Sequence, residues 1–180
     1  MSQLSKSDFM LFLRHPAWLW LKKHRRNVLP KPDAALQALF DSGHRFEAFA
    51  EERFPNAIRL GFDGFHEYRS LPRRTHHALA KGAKTVLQGR FESGRTTCII
   101  DVLQRVHGKT FDLFEIKSST SVKPEHIPDL AFQKMVLEGA GLSIRKLRII
   151  HVNREYVRSG HIQSDALIAT ARACRHHDMI

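Results

Sequence analysis

Ile99-Ile100-Asp101-Val102-Leu103 and Phe114-Glu115-Ile116-Lys117 are the stretches whose reading decides how this chain folds. Each sets an acidic residue inside an apolar run rich in Val and Ile, the composition of a strand covered on both faces. His107-Gly108-Lys109 between them reads as a tight turn, so the two strands are antiparallel neighbours. With a three-residue turn centred on Gly108, Asp101 falls directly opposite Glu115, and Lys117 lies on the same face two residues on. Like charges placed opposite one another in a sheet repel. Two facing carboxylates in apolar surroundings are costly unless a cation joins them. A hard divalent ion, Mg²⁺ or Mn²⁺, binds such oxygens. The alternative is that Asp101 and Glu115 are edge charges and Lys117 sits in an ordinary surface salt bridge, because so short a pattern recurs by chance.

The flanking sequence speaks against that alternative. Thr85–Glu92 reads as a strand before Thr96–Val106, joined by Ser93-Gly94-Arg95, and Thr110–Ser118 completes a three-strand meander. Upstream, Leu36–Phe54 has the period of an amphipathic helix whose stripe is Leu36, Leu39, Phe40, Gly43, Ala50 and Phe54, widened by Phe46 and Phe49. Glu47 falls inside that stripe, where a carboxylate needs a reason. Glu51, one turn on, competes with it, and the spacing from Gly43 favours Glu47. Downstream, a helix from Asp129, read as its N-cap, to Glu138 carries Gln133 on a largely apolar element. Leu147–Val152 then reads as a strand and Ser164–Cys174 as a closing helix. At the other end, Ser5-Lys6-Ser7-Asp8 has the form of a capping box and Pro16 opens a second short helix. Trp18 and Trp20 on it read as core. Residues 56–82, rich in Gly, Arg and His, give no clear period.

The chain has 180 residues, 42% hydrophobic and 26% charged, which suits one α/β domain with a real core. Residues 1–55 form its helical N-terminal part, and 84–153 the sheet and helix that carry the carboxylates. Lys and Arg number 29 against 18 Asp and Glu, a net +11 that favours a polyanionic partner. Lys22, Lys23, Arg25 and Arg26, with Arg145, Lys146 and Arg148, are candidate phosphate contacts, as are the hydroxyls of Ser118 and Ser119. Two cysteines exclude a disulfide framework and a four-cysteine zinc site. No signal peptide and no spanning run of apolar residues is found, so a reducing cytoplasm is expected. Gly82-Ala83-Lys84-Thr85 lacks the first glycine of a P-loop.

Asp101…Glu115-x-Lys117 resembles the motif of the PD-(D/E)XK nuclease superfamily, and the flanking Glu47 and Gln133 are similar to the RecB-like branch. Longer stretches resemble one bacterial domain family of that branch: Leu4-Ser5-Lys6-Ser7-Asp8 with Pro16 and Leu19-Trp20-Leu21, Glu115 through Lys123, and Asp129-Leu130-Ala131-Phe132-Gln133 followed by Leu137 through Leu142. The resemblance implies a restriction-endonuclease-like core, a short mixed sheet flanked by helices. It implies that Glu47, Asp101 and Glu115 bind the metal with the main-chain carbonyl of Ile116. Lys117 then polarises the attacking water or holds charge on the scissile phosphate, and Gln133 positions DNA or the lysine. DNA is the implied partner; a helicase or other protein partner is left open. The expected activity is metal-dependent hydrolysis of DNA phosphodiesters, and a DNA-binding module that has lost turnover is the second expectation. His15 stands where cluster-bearing relatives have cysteine, and Cys174 alone cannot supply the other thiolates, which argues against an iron–sulfur cluster. Leu137 replaces an aromatic residue, and Glu47 stands where many relatives have histidine.

Overall fold

A computed structural model describes residues 3–173. Ser5 caps the first helix by accepting from Asp8 N–H, and the Asp8 carboxylate accepts from Ser5 N–H in return, the reciprocal bonds of a capping box. This helix, α1 (Lys6–Arg14), follows a two-residue strand, β1 (Leu4–Ser5). His15 caps α2 (Pro16–His24), with Pro16 at its first position where no N–H is needed. Asp33 caps α3 (Ala34–Glu51), so that helix begins two residues before the start read from its stripe.

The ambiguous 56–82 region resolves into β2 (Ile58–Arg59) and α4 (Phe65–Ala80). Its helical period is masked by Pro72 in the interior, which cannot donate to the carbonyl of Tyr68. Arg90 supplies the missing donor: its Nη1 lies 2.9 Å from that carbonyl, and its guanidinium stacks 3.9 Å from the Tyr68 ring centroid. Then come β3 (Thr85–Ser93), β4 (Thr96–His107) and β5 (Thr110–Lys117), the expected meander to within two residues at each end. The helix α5 (His126–Gly139) begins four residues earlier than expected, its N-cap being Glu125, which makes no side-chain cap bond, and Asp129 lies in its first turn. After Gly141, which takes φ +86°, β6 (Ser143–Val152) returns parallel to β5.

The expected closing helix is a correction. Only Ser164–Leu167 is helical, as α6, and Ile168–Arg172 is a strand, β7, antiparallel to β6. Alanine favours a helix locally, but the open edge of β6 offers five backbone pairings and buries Ile168, and that tertiary gain prevails. Cys174, the end of the expected closing helix, lies outside the described residues.

The result is an α/β fold with a mixed sheet of seven strands, ordered β2-β3-β4-β5-β6-β7, with β1 pairing parallel to β4. The sheet is larger than the four strands read from sequence. One face carries α1, α4 and α5 over a core that includes Ile100, Leu103, Leu113, Leu130, Val136 and Ile149. The other face is covered by α3 through Phe46 and Ala50, packed on Leu87, Val102, Phe114 and Ile150. Each fully buried aliphatic side chain contributes roughly 1.5–3 kcal/mol. A second correction concerns the N-terminal helices. Trp18 and Trp20 are 47% and 55% exposed rather than core, and Leu36, Leu39 and Phe40 in the first half of α3 are exposed as well. No helix among the described residues is long and apolar enough to cross a membrane.

Candidate functional site

The ladder between β4 and β5 follows the register expected from the Gly108 turn, with a shift near His107, and ends at Val102 opposite Phe114. Beyond that point β4 stays with β3 while β5 stays with β6, so the sheet forks. Asp101 is the first residue past the fork on β4, and Glu115 the first on β5. Ile100 and Leu103, three apart, both enter the core beneath α5, while Val102 turns toward α3. A strict period of two forbids this, so β4 is irregular at Asp101. Its neighbour on β3 is irregular too: Gln88 takes φ +56°, among the described residues the one positive value outside glycine. Asp101 turns its side chain to the gap, where Oδ2 accepts the N–H of Ile116 at 2.7 Å, a bond the ladder would otherwise have made.

Glu115 is fully buried, and every oxygen has a partner. Oε1 accepts from Lys117 Nζ at 2.6 Å and Lys6 Nζ at 2.9 Å, and Oε2 from Gln133 Nε2 at 2.6 Å. Asp129 completes the network, accepting from Lys117 at 2.7 Å and Gln133 at 2.9 Å, with Lys6 Nζ 3.3 Å away. Both neighbours of the Gln133 amide are acceptors, so its NH₂ must face them, and its Oε1 is buried without a partner among the described residues.

Glu47 reaches the other side of the fork from α3. It accepts from Gln88 Nε2, which also reaches Glu51 Oε1 at 3.4 Å, while Glu51 Oε2 accepts from Arg59 at 2.7 Å. Glu47, Asp101, Glu115, Ile116, Lys117 and Ser118 line one cavity of about 430 Å³, with Leu39 and Phe40 as its apolar wall. The sequence candidates thus share one place, with Gln133 directly behind Glu115.

Charge is unevenly distributed there. Burial pushes Glu115 up, but the ammonium groups of Lys6 and Lys117 outweigh it and hold the carboxyl well below its usual range. Burial would neutralise both lysines; the surrounding Glu115 and Asp129 charges raise them instead. Among the described residues Asp101 makes no ion pair, and burial followed by the Glu115 charge pushes it up against the opposing pull of the Lys6 charge and the Ile116 N–H. Glu47 is also raised, by burial and then by Glu51. The cavity therefore has carboxylates in surplus on the Asp101–Glu47 side. Oxygen donors alone in a partly dry cavity suit a hard divalent ion. Among the described residues, no three acidic, His or Cys side chains stand close enough together to hold one as they are placed. The donors fit such an ion in kind.

No family model matches the chain, and no curated protein does. Among solved structures, that of an alkaline exonuclease from Laribacter hongkongensis is similar over 79% of this chain and 71% of that one, at 13% identity and a TM-score of 0.34. A likeness of that degree says nothing about activity.

Two members of the site escaped the sequence reading. Lys6 was legible only as part of a capping box, yet β1 pairs with β4 at Thr96 and Thr97 and so delivers Lys6 into the fork. Asp129 was legible only as a cap. Its position one turn before Gln133 on the face already assigned to α5 was the available signal. Among the phosphate candidates, Lys22 and Lys23 bond Asp8 at 2.8 and 2.6 Å, which ties α2 to α1. Arg25 and Arg26 are exposed, Ser118 is exposed at the cavity, and Ser119 donates to the carbonyl of Ser121.

Proposed function

We propose that the chain is a metal-dependent nuclease hydrolysing DNA phosphodiesters, of the PD-(D/E)XK type and its RecB-like branch, in repair, recombination or defence. The observation that carries this reading is the fork itself. An irregular Asp101, a buried Glu115 and Lys117 share one cavity with Glu47. Glu47, Asp101, Glu115 and the Ile116 carbonyl would hold Mg²⁺ or Mn²⁺. When bound, such an ion lowers the pKa of its water and stabilises charge on the phosphate. Glu115 anchors Lys117 from one side and Asp129 from the other, which fixes the ammonium at the cavity wall, where it can orient a water or offset charge on a phosphate oxygen. Gln133 holds both carboxylates in place from behind. We propose a single domain spanning 1–180, with 84–153 as its catalytic sheet and helix. The test is incubation with linear and circular DNA and Mg²⁺ or Mn²⁺, comparing wild type with Asp101→Ala and Lys117→Ala. Cleavage that survives both substitutions rejects the assignment.

One observation favours a second reading. Lys6 and Lys117 together neutralise Glu115 without any ion, as suits a DNA-binding module that has lost turnover. That reading predicts salt-sensitive DNA binding and no cleavage with either metal.

A further inference from the structure

On the α3 face of the sheet, beyond the end of that helix, lies a second cavity of about 450 Å³. Arg53, Arg145 and Arg148 line it, with Asp112, Gln104 and Thr170. Its single acid is already committed. Arg145 grips Asp112 through Nε and Nη2 at 2.9 and 2.7 Å, a bidentate pair. Arg53 and Arg148 are left without a carboxylate in the cavity. Among the described residues, the Arg53 side chain reaches only the Thr170 hydroxyl, at 3.3 Å, and Asp165, which stands 4.0 Å off and is 95% exposed. Arg148 has its Nε buried with no partner among the described residues.

The sheet supplies an independent observation. In the β6–β7 register Arg148 stands directly opposite Arg172, so two cations project from one face side by side. The Arg148 guanidinium lies 5.8 Å over the Phe114 ring, yet like charges side by side and a buried N–H with no acceptor both favour an anion there. The planar guanidinium fork matches the oxygens of phosphate.

We propose that this cavity binds a phosphate group, held by Arg53 and Arg148 with Thr170 and Gln104 as neutral donors. The inference stands on this arrangement alone and does not depend on the nuclease reading. The group comes either from a nucleic-acid backbone or from free phosphate, and the experiment separates the two. Thermal unfolding of wild type, Arg148→Met and Arg53→Gln is followed with inorganic phosphate against chloride at matched ionic strength, and with a short single-stranded oligodeoxynucleotide. A saturable rise in Tm is expected for wild type, with the dissociation constant weakened about tenfold or more in both variants. A response to inorganic phosphate identifies free phosphate as a ligand, and a response to the oligonucleotide alone identifies the backbone diester. Asp101→Asn keeps the response, so loss of cleavage and loss of this site are separate results. Arg172→Gln raises Tm in phosphate-free, low-salt buffer, and the gain shrinks as salt is added. Absence of any response in wild type, or an equal response in wild type and the two cavity variants, overturns the proposal. Arg53 is exposed just past the end of α3, so that variant remains informative if Arg148→Met fails to fold.

Discussion

The helices α5 and α3 bring polar side chains to the same fork from opposite faces of the sheet, yet they are anchored very differently. Leu130, Phe132, Val136 and Leu137 bury α5 along its whole length, and its Asp129 and Gln133 are locked into three hydrogen bonds with Glu115, Lys117 and each other. Only the second half of α3 is packed, through Phe46 and Ala50, while Leu36, Leu39 and Phe40 stay exposed. Glu47 sits at the boundary between these halves. One wall of the cavity is therefore fixed and the other adjustable. Under the proposed nuclease reading, that division would hold Lys117 still and let Glu47 move onto an ion.

The largest test of this contrast is catalytic. Asp101→Ala and Lys117→Ala each lower the rate of DNA cleavage on the order of 10³-fold, measured in single-turnover assays with saturating metal. Stability comes next, and here the walls separate. Glu115→Ala leaves Lys6 and Lys117 facing a hole and costs about 3–5 kcal/mol in urea unfolding. Glu47→Gln, on the adjustable wall, changes stability by less than about 0.5 kcal/mol while weakening metal binding. Equal destabilisation by the two substitutions breaks the comparison. Gly89→Ala follows at about 1–3 kcal/mol, because the added Cβ would meet Thr75 Cγ2 at 3.0 Å and Val86 Cγ1 at 3.1 Å where α4 crosses β3.

The smallest effect belongs to the N-terminal helices and depends on pH. Asp8 is buried, yet bonds from Lys22, Lys23 and Ser5 outweigh that burial and lower it from 3.8 to about 2. A carboxyl depressed on folding stabilises the protein above its unfolded value and loses that contribution as pH falls from about 4 through 2. Asp8→Asn removes this acid-sensitive step, read as a flatter stability profile below pH 4, without changing the profile near neutrality in shape.

Much of this arrangement is legible in residue order because it is local. The turn at Gly108, the capping box at Ser5, and the alternation in β3 to β5 each depend on neighbours within a few positions. Glu47 and Gln133 were legible as polar residues on apolar stripes, for the same reason. What escaped rests on distant partners. The two-residue strands β1 and β2 carry no period of their own and exist only through β4 and β3. The strand β7 is a helical composition overruled by the open edge of β6. The helix α4 is a period interrupted by Pro72, made good by Arg90. Exposure of Trp18 and Trp20 is a failure of a different kind, since no local rule says which apolar helix face will find a sheet to cover it.

The bond between Lys6 and Glu115 joins residues 109 positions apart. The meander can close through turns of two or three residues, but this contact waits until the start of the chain has come back across the finished sheet. Loop-closure entropy places it among the slowest steps of folding. Partly folded molecules will then hold a buried carboxylate with one ammonium too few, so the fork is the last part of the protein to become itself.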